Sequence, residues 1–187
     1  RRTMIWRDTG LPWRPTSPHV PHDQSPLYQV ATGMLGEIGG LSTGIGYTLP
    51  FQCVAAPGLD PDRFCKLLNG YNLPGVRFLP LTYTPFYGAF KGRPVAGAQI
   101  FFTDPAIAPL TAINFYALEA VKQLTGRDLL AEALQAGKRF DMFDKVNGTD
   151  ATRKALQAGI SAAQIVGSWK PSQAAFRKAR EKYLLYP

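Results

Sequence analysis

The sequence predicts an α+β fold: a small mixed sheet of about three to four strands, packed with several helices, and a helical carboxy-terminal half. Three observations lead there. Short apolar or alternating runs at 49–55, 77–83 and 95–103 read as strands. Asp60-Pro61 and Asp104-Pro105 each set a capping carboxylate before a proline, the pattern that opens a helix. Beyond residue 104 the apolar residues recur at three- and four-residue spacing, and no further strand pattern appears.

Taken in order, residues 1–26 carry Pro12, Pro15, Pro18, Pro21 and Pro26, which fix φ and donate no hydrogen bond, so the segment is extended. Trp6 and Trp13 argue that it lies against a surface. Residues 26–36 read as a helix turn leading to Glu37. The stretch 37–51 holds four glycines, three small hydroxyls and one carboxylate, and the apolar strand 49–55 begins within its end. Glycine permits positive φ and close backbone approach, so such density reads as a sharply turning loop beside a rigid strand. Composition alone also fits an ordinary connection.

The helix opened by Pro61 has Phe64, Leu67 and Leu68 as its apolar stripe and ends at Asn69-Gly70. Strands 77–83 and 95–103 follow, joined by a loop 84–94 that contains Phe86, Tyr87, Phe90, Lys91 and Arg93. After Asp104-Pro105, the residues Ile107, Leu110, Ile113, Ala117, Val121 and Leu124 describe one core-facing helix. Shorter helices are expected at 129–136, 149–158 and 161–168, and a last one from Pro171 to about Tyr183.

A chain of 187 residues makes one domain with a sizeable core, and 45% hydrophobic against 18% charged residues is globular rather than disordered. No apolar run is long enough to span a bilayer. A net charge of +8 favours anionic partners without naming them. No helix-turn-helix, zinc-finger or RNP pattern supports nucleic-acid binding. Cys53 and Cys65 fall on apolar faces and read as buried thiols, pairing only if their elements pack side by side. His19 and His22 lack neighbouring ligands, so no metal and no cofactor is expected.

Ordered blocks along the chain resemble the NamZ family of bacterial exo-β-N-acetylmuramidases. Glu37, Leu41, Ser42, Gly44, Gly46, Thr48, Pro50 and Phe51 fit its Gly-rich block. Thr9-Gly10-Leu11-Pro12-Trp13 with Pro15, Ser17 and Pro18 comes before it. Ala56-Pro57, Leu73-Pro74-Gly75-Val76-Arg77-Phe78, Thr84-Pro85-Phe86 with Lys91, and Thr103-Asp104 come after. The tail runs from Ser168-Trp169 through Phe176 to Tyr183-Leu184-Leu185-Tyr186. The likeness covers nearly the whole chain and is weakest at 124–148. Many members have an acid where Thr43 stands and an arginine where Ile45 stands, so those contacts do not carry over.

The resemblance implies a carboxy-terminal domain whose partner is a Rossmann-like amino-terminal domain of the same protein. It also implies peptidoglycan-derived muropeptides or N-acetylmuramic acid glycosides as substrates, and a location in the cell envelope. Most glycosidases use two carboxyl groups flanking the scissile bond. Here only Glu37 stands in a loop suited to such a site, because Asp60, Asp62 and Asp104 are explained as helix caps and first-turn charges. Glu37 is therefore the catalytic candidate, with the second carboxyl expected from the partner domain. Ser42, Gly44, Gly46 and Thr48 are candidates to meet sugar hydroxyls or the acetamide, Tyr87 to stack on a pyranose, and Lys91 to meet the lactyl carboxylate. Each has a local alternative: small hydroxyls satisfy turn backbone, loop aromatics plug cores, and exposed lysines need no ligand. Two other functions stay open, a non-catalytic glycan-binding module and a structural or oligomerising domain.

Overall fold

Tyr28, Ala31, Leu35 and Ile38 recur at three and four residues and fold Ser25–Ile38 into a 14-residue helix, α1, buried along that face. The sequence pattern predicts only a helix turn here. Gly33 and Gly36 weaken the local helix preference, yet both lie off the fully buried stripe, so core burial overrides them. The computed structural model describes residues 4–185. Arg1, Arg2 and Thr3, and Tyr186 of the tail block, lie outside them.

Strand β1 (Cys53–Ala56) is shorter than the expected 49–55. The N–H of Gln52 donates to the Leu49 carbonyl at 3.0 Å, and Phe51 has φ of 65°, so a turn takes the first half of that apolar run. Helix α2 (Pro61–Gly70) opens as read, with the Asp60 carboxylate accepting from the Arg63 N–H at 3.0 Å. Strands β2 (Val76–Tyr83) and β3 (Val95–Phe102) complete the sheet in the order β1-β3-β2. The sheet is antiparallel throughout rather than mixed. β1 and β2 do run parallel through the α2 crossover, but β3 inserts between them, so each hydrogen-bonded pair is antiparallel. β2 is an edge strand, where Pro80 is tolerated. The Asn69 amide stands in for part of a missing neighbour there, bonding the Phe78 carbonyl (2.8 Å) and N–H (3.1 Å).

Side chains alternate across the sheet with period two. Val54, Ala56, Val76, Phe78, Ala98 and Ile100 face the main core with α1, α2 and the long helix α3 (Leu110–Thr125). Cys53, Ala55, Tyr83 and Val95 face the other way into a smaller cluster, closed by Tyr47, Leu49, Leu81 and Phe90. Two loops, 43–51 and 84–94, thereby cover part of the sheet's second face. Both thiols are buried and free, and burial pushes each up to about 12.

α3 starts five residues later than Asp104-Pro105 suggested. The Asp104 carboxylate accepts from the Ala106 N–H at 3.0 Å, which makes a turn, and Ile107 is 58% exposed instead of buried. Helices α4 (Leu129–Gln135), α5 (Asp141–Asn147), α6 (Ala151–Gln157), α7 (Ala162–Ser168) and α8 (Lys170–Arg180) follow, with a 3-10 turn at Glu181–Tyr183. α5 was not foreseen. It is held by one buried residue, Phe143, too few for a periodic signal.

Candidate functional site

Glu37 sits on the last turn of α1 rather than in the glycine loop. The helix stops there because Gly39 (φ +90°) and Gly40 (φ +77°) turn the chain away, and a Cβ at Gly40 would stand 2.9 Å from Leu129 Cδ2. Glu37 is half-buried, and no hydrogen bond or ion pair engages its carboxylate among the described residues. A rigid helix thus fixes a carboxylate that the domain itself does not use.

The glycine loop is pinned to the sheet at its start. Ser42 pairs with Ala55 through backbone bonds of 2.7 and 2.9 Å, and its buried hydroxyl accepts from Tyr83 Oη at 2.8 Å. Burial pushes the Tyr83 phenol well above its usual range. Ser42 therefore contributes to any site through the shape of the loop. Gly44 (φ +84°) turns tightly enough that a Cβ would stand 2.0 Å from the Leu49 carbonyl oxygen. At Gly46 (φ +87°) a Cβ would stand 2.1 Å from the Tyr87 carbonyl oxygen, and the Gly46 carbonyl accepts from the Phe86 N–H at 2.8 Å. These two contacts weld the glycine loop to the aromatic loop, reinforced by Tyr47 stacked on Tyr83 at 4.5 Å.

Thr48, Tyr87 and Lys91 are exposed on this joined surface. Tyr87 Oη is hydrogen-bonded to His19 Nε2, with the two rings stacked at 5.9 Å. His22 instead meets Ser25 Oγ (3.3 Å) and Gln52 Nε2 (2.9 Å), at the foot of α1. The histidines thus anchor the proline-rich segment to two different parts of the fold. Among the described residues no group of three or more His, Cys, Asp or Glu is placed to hold a metal ion. No helix among them is long and apolar enough to cross a membrane.

The structure therefore joins Gly46 to the Tyr87 loop and leaves Glu37 without a bonded link to the other six candidates. Sequence reading missed His19, Gln52 and Tyr83 as site-shaping residues. Their partners lie 68, 30 and 41 positions away, and no local pattern encodes such pairs. A cavity of about 310 Å³ lies elsewhere, among α3, α4, α6 and α7, and Glu37 does not line it. Its Glu119 is tied to the Ala162 N–H at 2.6 Å and also accepts from Tyr71 Oη at 3.3 Å, a structural bond at the start of α7.

A family model described as exo-β-N-acetylmuramidase NamZ, C-terminal, matches residues 27–186. The chain belongs to this family. Peptidoglycan β-N-acetylmuramidase NamZ of Bacillus subtilis (strain 168) is 31% identical over 186 residues, 100% of this chain and 43% of that protein. The crystal structure of a DUF1343 family protein from Bacteroides fragilis NCTC 9343 superposes with a TM-score of 0.91 at 35% identity. That match covers 100% of this chain and 48% of the other. The chain spans less than half the length of either relative. In this member of the family the domain is an antiparallel sheet with helices on one face and two interlocked loops on the other.

Proposed function

We propose that this chain forms one wall of the carbohydrate pocket of an exo-β-N-acetylmuramidase, a glycosidase releasing N-acetylmuramic acid from the non-reducing ends of peptidoglycan fragments in cell-wall turnover. The observation that carries the reading is the half-buried, unengaged carboxylate of Glu37 at the end of α1, and a separate loop surface locked by Gly46 offers exposed polar and aromatic groups. The other wall, with a second carboxyl group, comes from a Rossmann-like domain of the longer protein, which acts in the cell envelope.

In this reading the lone pairs of Glu37 face the cleft, where the group acts on the glycosidic oxygen or orients the partner carboxyl. Thr48 donates to a sugar hydroxyl or the acetamide, Tyr87 offers a ring face, and Lys91 meets the lactyl carboxylate. Ser42, Gly44 and Gly46 hold the backbone that presents them. The isolated chain is expected to leave a chromogenic N-acetylmuramic acid glycoside intact, and the longer protein to hydrolyse it. Glu37→Gln keeps the shape and removes the charge, so it should lower kcat in the longer protein by on the order of 10²-fold or more. Full activity in that variant rejects the role of Glu37. No turnover by the unaltered longer protein rejects the function.

A further inference from the structure

Helix α8 is amphipathic and uncovered. Phe176, Ala179 and Tyr183 follow Ser172 at spacings of four, three and four residues, so they form one stripe along α8 and the 3-10 turn after it. No residue of the helix is buried, and Phe176 is 64% and Tyr183 72% exposed. α8 packs mainly against α7 and the turn that follows it. An isolated helix of 11 residues is marginal in water, so such a stripe is stabilised only when something covers it.

Charge narrows what can cover it. Lys170, Arg177, Lys178, Arg180 and Lys182 stand against one carboxylate, Glu181, over this stretch. No ion pair engages any of these cations among the described residues. Arg180 lies over the Phe176 ring at 5.9 Å and Lys182 over the Tyr183 ring at 5.0 Å, so each ring has a cation beside it. The surface that fits is an apolar groove with carboxylates on its rim. A second copy brings a net charge of +8 to a face that is already cationic, which opposes self-association. A lipid surface gains little from two rings and an alanine, because binding of that kind scales with the apolar area buried.

Position and length supply the occupant. Trp169, directly before α8, packs on Phe115 in the first half of α3, and the neighbouring Asn114 donates to the Val30 carbonyl in the first half of α1 at 2.9 Å. α8 therefore leaves from the end of the helical layer at which the chain enters α1. The two relatives are more than twice as long as this chain, and the matching family model is a C-terminal one. The remainder lies on the amino-terminal side, from which the segment before α1 arrives. Resting on the reading that this chain works as one part of a longer protein, we infer that α8 is a docking face for the amino-terminal portion of that protein, with the Phe176–Tyr183 stripe seated in an acid-rimmed apolar groove.

Amide hydrogen exchange followed by mass spectrometry, comparing the 187-residue chain with the longer protein, tests this. Peptides spanning 170–183 should exchange on the order of 10²-fold more slowly in the longer protein, while peptides from the buried stripe of α3 should change little. Phe176→Asp is an exposed change in this chain and should leave its Tm unmoved, yet return α8 of the longer protein to fast exchange. Arg180→Glu with Lys182→Glu keeps the ring stripe and reverses its rim, and should weaken the protection about tenfold. Equal exchange of α8 in the two proteins overturns the inference, as does protection that neither set of substitutions lowers. Protection of the 187-residue chain that appears on adding phosphatidylglycerol vesicles, or that rises with its own concentration, assigns the face to lipid or to a second copy and overturns it too. Hydrolysis of the chromogenic glycoside is read separately and turns on Glu37, so either reading can fail without the other.

Discussion

Replacing Gly46 with alanine tests whether the two loops are truly interlocked. The new Cβ would land 2.1 Å from the Tyr87 carbonyl oxygen, whereas a comfortable carbon–oxygen approach is roughly 3.3 Å. One loop must therefore retreat by about an ångström, and the 2.8 Å bond from the Phe86 N–H to the Gly46 carbonyl goes with it. Holding a side chain at φ +87° costs about 1–2 kcal/mol, and the lost hydrogen bond about 0.5–1.5 kcal/mol more. A destabilisation of roughly 1.5–3.5 kcal/mol follows, which for a chain of this size lowers Tm by roughly 3–14 °C. Gly88→Ala is the control, because Gly88 also has positive φ (+72°) and nothing lies within 4 Å of its added Cβ. It should show the backbone strain alone. Urea or thermal unfolding monitored by circular dichroism compares the two. If Gly46→Ala is no more destabilising than Gly88→Ala, the loops are not welded at that point and the reasoning fails.

Two further outcomes are expected from the same architecture. Ser42→Ala should cost about 1–3 kcal/mol by leaving the buried Tyr83 hydroxyl without its 2.8 Å acceptor, and Ser42→Ala with Tyr83→Phe should cost less than the two single changes summed. A strictly additive cycle in urea unfolding would refute the pairing. Cys53 and Cys65 are each raised from 9.0 to about 12 by burial, and Tyr83 is raised as well. Between about pH 9 and 12 the unfolded chain releases thiol protons that the folded chain keeps, so stability is intact below pH 9 and falls as pH rises through that window. The urea midpoint should drop from pH 8.5 to about pH 10.5, and a thiol reagent should label the folded chain only as fast as it unfolds. A flat midpoint or immediate labelling of the native chain would contradict the burial.

Elements governed by neighbouring residues could be read from the sequence. Asp60 capped α2 as expected because the cap is complete within four residues. β2 and β3 came within one residue of their limits because alternation and a connecting loop specify a hairpin locally. Asp104-Pro105 misled because the same carboxylate that caps a helix also closes a two-residue turn, and here Gly75 draws the chain aside by accepting from the Thr103 and Asp104 N–H groups. α1 extends beyond the turn its sequence suggests because Gly33 and Gly36 interrupt a stripe that burial, not propensity, stabilises. At the site, the density of glycines at 39–46 rightly marked a tight loop. Its partner, the Tyr87 carbonyl, is about forty residues away and left no trace in the pattern.

The separation of anchors has a consequence for how such a site works. Glu37 is positioned by α1, whose buried stripe packs against α3 and the main core. Thr48, Tyr87 and Lys91 ride on loops fastened to the second face of the sheet through Tyr83, Tyr47 and Phe90. The sheet is three strands wide and packed on both faces around these residues, and the Thr32 hydroxyl of α1 also donates to the Phe51 carbonyl at the end of the glycine loop at 2.7 Å. The separation between the carboxylate and the loops proposed to meet the sugar is thus held by this bond together with β1 and β3, which carry side chains to each cluster from alternate positions. A change confined to the loop cluster, such as Gly46→Ala, should then impair substrate binding while the carboxylate stays in place. A change in the α1 stripe should move the carboxylate and leave the loop surface intact. Opposite effects on KM and kcat from the two kinds of substitution would be the mark of a site whose two supports act separately on binding and on the carboxylate.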